Sequence, residues 1–109
     1  MYEELKTALL GALTIPMAEY EWATRPKGDY GVFQIDFEVE DDNGDDFHQD
    51  RGWQGSIDLY THGAKADVYT EIETILDTYA EGCWDVNSIQ VESETRLLHR
   101  EYVFELEAY

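Results

Sequence analysis

A chain of 109 residues, 43% of them apolar and 14% aromatic, suits one domain that buries about two-thirds of the surface its unfolded form would expose. It is too apolar to remain disordered. The 25 Asp and Glu against 7 Lys and Arg give a net charge of −18, so the surface repels nucleic-acid phosphates and anionic lipid over about 10 Å at 0.1 M salt, while the lone Cys83 excludes an intrachain disulfide and a cysteine-based zinc site.

The opening MYEELKTALLGAL has acids where a signal peptide needs positive charge, and its apolar run is too short to span a bilayer, which sets the expectation of a cytoplasmic chain with no membrane partner. Leu5, Leu9, Ala12 and Leu13 instead recur at helical spacing, with Glu3 and Glu4 near the positive end of the dipole and Pro16 as a stop. The spacing predicts a helix from Tyr2 to Leu13. Thr14 to Asp29 holds both prolines and the aromatic pair Tyr20 and Trp22, and reads as irregular and partly packed.

From Tyr30 to Val39 the period becomes two. Gly31, Phe33, Ile35, Phe37 and Val39 are expected on the core side, and Tyr30, Gln34, Asp36 and Glu38 on the wet side. A second alternation sets Trp53, Gly55, Ile57, Leu59 and Thr61 against Gln54, Ser56, Asp58 and Tyr60. The simplest pairing is a hairpin whose tip is VEDDNGDDFHQD, Val39 to Asp50. Val68, Ile72, Ile75, Leu76 and Tyr79 then form a helical stripe, predicting a helix over Lys65–Glu81 with Gly82 as a left-handed cap. Two strands follow, Trp84–Glu92 and Leu97–Leu106. The second alternates Leu98, Tyr102, Phe104 and Leu106 against His99, Glu101, Val103 and Glu105, and Arg100 interrupts its apolar side. The expected fold is α+β: a mainly antiparallel four-stranded sheet with two helices on one face, in the order α-β-β-α-β-β, with a long acidic hairpin tip.

The acidic tip fails as a calcium loop. A glycine at position six would put Val39 at position one, where a carboxylate is required, and Asp50 instead of Glu at position twelve. Asn43-Gly44 reads as a turn pair, and Glu40, Asp41, Asp42, Asp45, Asp46 and Asp50 as a solvated loop that faces a partner or a lumen. Cys83 has no basic neighbour in sequence and reads as a small buried hydrophobe. His48, His62 and His99 fall in a loop, a turn and a strand, and read as satisfied or solvent-facing. Carboxylates are too abundant for any pair to be diagnostic, and no glycine-rich phosphate loop is present. Trp53, at an inward strand position, reads as core, with Trp22 and Trp84 as candidate interface anchors. No catalytic residue, metal site or cofactor is expected.

Three segments, IPMAEYEWATRPKGDYGVFQIDF, GSIDLYTHGAKADVYTEIETIL and SIQVESETRLLHREYVFELE, resemble the tail-terminator, or tail-completion, proteins of long-tailed bacteriophages. The likeness lies in a short helix before a strand pair with a long tip, a helix soon after a strand ending in Tyr-Thr, and a final hairpin with His99, Tyr102, Phe104 and Leu106 in alternation. It implies a structural protein of the virion, found in the host cytoplasm before assembly. Such a protein forms a six-fold ring of its own copies on the tail tube protein, stops tube growth, and presents a surface to the head-completion or connector protein. DNA would pass through the ring without specific binding, which an acid-lined bore favours. The alternative is an acidic DNA mimic that occupies the basic groove of a DNA-binding enzyme, for which the row Asp36, Glu38 and Glu40 is the sequence feature.

Overall fold

Seven elements follow one another along the chain: α1 (Tyr2–Leu10), β1 (Met17–Glu19), β2 (Tyr30–Glu40), β3 (Arg51–Thr61), α2 (Ala66–Tyr79), β4 (Trp84–Val91) and β5 (Leu98–Glu107). The computed structural model describes residues 2–12, 14–40 and 51–107, and of 36–40, 51, 52 and 107 the backbone alone.

Helix α1 forms where Leu5 and Leu9, one turn apart, share a buried face. It ends at Leu10, short of the expected Leu13, which lies outside the described residues. Gly11, a poor helix former, donates to the Thr7 carbonyl at 3.0 Å, and Ala12 tightens the last turn onto Leu9 at 3.1 Å. Helix α2 buries Val68, Ile72 and Leu76 at spacings of four. It closes where the Ala80 N–H meets the Leu76 carbonyl at 2.8 Å, after which Glu81 (φ 52°) and Gly82 (φ 77°) turn the chain through the left-handed region.

The sheet is mixed and five-stranded, in the order β1-β2-β3-β5-β4, which corrects the expectation of four antiparallel strands. The added strand, β1, runs parallel to β2 over Met17↔Gly31 to Glu19↔Phe33. Three residues are too few for an alternation to be read. The pairing is set instead by backbone bonds on either side, Gly31 N–H to Pro16 O at 2.9 Å and Tyr20 N–H to Phe33 O at 2.8 Å. All other pairs are antiparallel, and β2 and β3 form the expected hairpin down to Glu40↔Arg51. The β2 alternation breaks within it. The register shifts between Ile35 and Phe37, so Ile35 stands opposite Gly55 but Phe37 opposite Gln54, as a β-bulge requires.

Directly paired residues share a side of the sheet. Phe33, Ile57 and Tyr102 therefore lie on one side, and Tyr30, Tyr60 and His99 on the other. The first three join a single buried cluster with Leu5 and Leu9 of α1 and Val68, Ile72 and Leu76 of α2. Both helices thus cover one face, as expected, and among the described residues the opposite face carries none. Among the described residues no helix is long and apolar enough to cross a membrane.

Candidate functional site

The helix-free face is ordered by strand register. Tyr30, Tyr60 and His99 form one row, with ring centroids 4.9 and 4.4 Å apart and planes within about 20° of parallel. Val32, Asp58 and Glu101 form the next row, and Gln34, Ser56 and Val103 the third. The chain between β1 and β2 returns along this face. The Trp22 indole Nε1 donates to the Gly31 carbonyl at 3.1 Å, the Tyr20 hydroxyl reaches the Ile35 carbonyl at 3.4 Å, and Arg25 hydrogen-bonds Tyr30. Asp29 ends the connection by accepting from both the backbone N–H (2.9 Å) and Nδ1 (2.8 Å) of His62.

Two of the histidines read from sequence as satisfied or solvent-facing have carboxylate partners. His99 places Nε2 2.6 Å from Asp58 Oδ1, and His62 is held by Asp29. Burial alone would raise the Asp29 carboxyl, but the side-chain and backbone hydrogen bonds from His62 hold it below its ordinary value. The Tyr60 phenol is pushed up to about 12, first by burial and then by the charges of Asp58 and Glu92. Tyr60 therefore stays neutral inside a negative field.

A second polar cluster lies on the helix side. Arg100, the interruption in the apolar side of β5, lays its guanidinium 4.3 Å from the Tyr69 ring centroid and 5.2 Å from that of Tyr102. Its Nε donates to the Tyr102 hydroxyl at 2.8 Å, which in turn donates to Glu73 Oε2 at 2.5 Å. Burial and the Glu73 hydrogen bond both push the Tyr102 phenol up, so it remains a proton donor. This network holds α2 against β5. Tyr69 and Glu73, one turn apart on α2, are the signal that sequence reading passed over.

The six carboxylates singled out in the sequence divide. Glu40 is the last residue of β2, and Asp41, Asp42, Asp45, Asp46 and Asp50 lie outside the described residues, as does His48. Cys83 is exposed, against the expectation of burial. It lies in the turn between α2 and β4, where its N–H bonds Ala80 O (2.8 Å) and its carbonyl accepts from Glu105 N–H (3.0 Å). Trp53 packs against the core and stacks on Tyr2 at 5.4 Å, and Trp84 donates Nε1 to Asp77 at 2.8 Å. Among the described residues no three His, Cys, Asp or Glu side chains are grouped to hold a metal ion. What the helix-free face offers chemically is aromatic surface beside carboxylates.

No protein-family model matches the chain, and no curated protein matches it in sequence.

Proposed function

We propose that the chain is a structural virion protein that forms a ring of its own copies at the end of a phage tail tube, stops tube growth and joins tail to head. The observation that carries this reading is that the sheet has two unlike, open edges. A closed ring needs two different surfaces on each subunit, one for each neighbour. At one end β1 pairs only with Gly31–Phe33, so no strand flanks β2 beyond Phe33 among the described residues. At the other end β4 presents Val86–Val91, VNSIQV, a run without charge in a chain of charge −18. Ile89 and Val91 on it are 54% and 63% exposed. Beyond the register shift between Val86 and Ser88 the edge has neither lysine nor proline, and such an edge invites a neighbouring strand.

The reading also draws on the family resemblance, which implies a helix, a strand pair, a helix and a final hairpin; the chain's own order is α1-β1-β2-β3-α2-β4-β5. Electron microscopy of tails assembled with and without the chain tests the proposal: its absence leaves tails of uncontrolled length or unable to join heads, and unaffected tails remove it. Ile89→Lys is expected to abolish ring assembly while leaving the subunit folded.

A DNA mimic remains the second reading. It is favoured by Asp58 and Glu101, which stand opposite each other on the helix-free face.

A further inference from the structure

The connection between β1 and β2 borders a shallow groove of about 380 Å³ on the helix-free face. Tyr20, Trp22 and Tyr60 give it aromatic surface, and Glu21, Asp58 and Glu92 give it charge. At Arg25 and Glu92 it meets a second hollow of about 510 Å³, which runs along Gln90–Thr95 and adds Glu94.

Three observations separate this groove from a generic acidic surface. The Trp22 ring is fixed by its bond to the Gly31 carbonyl, so its position needs no ligand. Tyr20 has φ 69°, a left-handed conformation that a bulky residue rarely adopts, and its side chain stays 56% exposed. Its backbone N–H completes the β1–β2 pairing and its hydroxyl reaches the Ile35 carbonyl, while much of the ring surface remains open to solvent. The groove is negative on balance, because Glu21, Asp58 and Glu92 line it against one guanidinium, that of Arg25, which hydrogen-bonds Tyr30 at the rim.

We infer that this groove is the docking site for an arginine side chain carried on an extended segment of a partner protein. A flat guanidinium stacks on Trp22 or Tyr20 while its N–H fork reaches the neighbouring carboxylates; an ammonium has no such plane. The negative walls exclude nucleic acid and acidic peptides. The inference goes beyond ring formation, since the groove beside Tyr20, Trp22 and Tyr60 lies on a sheet face of a single subunit, and only its continuation along Gln90 and Val91 borders the β4 edge.

The test titrates the full chain with a short arginine–glycine peptide and follows the three indole N–H resonances by NMR, with that of Trp22 assigned through Trp22→Phe. The expected result is a saturable shift of the Trp22 resonance, with Trp53 and Trp84 unmoved, that is lost when citrulline replaces arginine. Tyr20→Ala or Glu21→Gln, both at exposed positions, should weaken binding about fivefold, the equivalent of one exposed cation–aromatic contact. Asp67→Asn, the same charge change on α2, should leave it unaltered. Equal weakening by Asp67→Asn and Glu21→Gln would reduce the effect to general charge attraction and overturn the site. Equally tight binding of a lysine peptide, or no saturable binding, overturns it as well.

Discussion

At Gly55 the sheet leaves no room for a side chain. A β-carbon there would lie 2.5 Å from the Gln34 carbonyl oxygen and 2.6 Å from Cζ of Phe104, whose ring covers the glycine from β5. At Gly31 the nearest atom is the Met17 sulfur at 2.4 Å, on a flexible side chain that can swing aside. Gly55→Ala should therefore destabilise by about 1–3 kcal/mol and Gly31→Ala by less than about 1, read from urea midpoints at constant slope. Tyr60 supplies a second prediction, on pH. Its phenol ionises near 10.0 when unfolded and near about 12 when folded, so the stabilisation is complete below pH 10 and is lost as pH rises towards 12. Tyr60→Phe should flatten the fall of stability across that window in urea titrations. Both effects were invisible in the sequence, because they depend on which residues the register sets side by side. Arg100 was visible as an interruption, but its partner Glu73 lies 27 residues away on another element.

At the scale of elements, periodicity was readable where it ran long. The alternation of β5 gave the right facing: Tyr102, Phe104 and Leu106 are buried and Glu105 is exposed. Phe104→Ala should cost about 3–5 kcal/mol and Glu105→Ala about 0.5 or less, and equal effects in thermal unfolding would contradict this packing. Shorter or irregular features escaped. The three residues of β1 cannot show a period, and the bulge after Ile35 shifts a pattern that looks unbroken in sequence. Tyr20 is legible in sequence only as an aromatic in an irregular segment and Trp22 only as a candidate interface anchor there, since their place against Tyr60 and Asp58 follows from tertiary pairing alone. For the stretch Glu40–Asp50, spacing remains the argument. Calcium titration by calorimetry should give no saturable binding tighter than about millimolar, and a micromolar isotherm lost on Asp41→Asn would restore the calcium loop.

For the whole molecule, charge opposes the proposed association of copies. Copies of charge −18 repel each other, and the range of that repulsion shrinks from about 30 Å at 0.01 M salt to about 8 Å at 0.15 M. Self-association on the β4 edge should therefore strengthen with salt in sedimentation experiments. A DNA mimic held in a basic groove would instead weaken, because salt screens its attraction. The strand order has a further consequence, for the timing of synthesis. Because β3 lies between β2 and β5, with α2 and β4 intervening in the chain, the ribosome releases the central strand well before its second neighbour. From Thr61 to Glu107, at about 5–20 residues per second, roughly 2–9 s separate the synthesis of β3 from that of the strand that closes its inner edge. During those seconds the strand destined for the centre of the sheet is an open edge, so nascent chains on neighbouring ribosomes are most prone to pair wrongly with one another before β5 emerges.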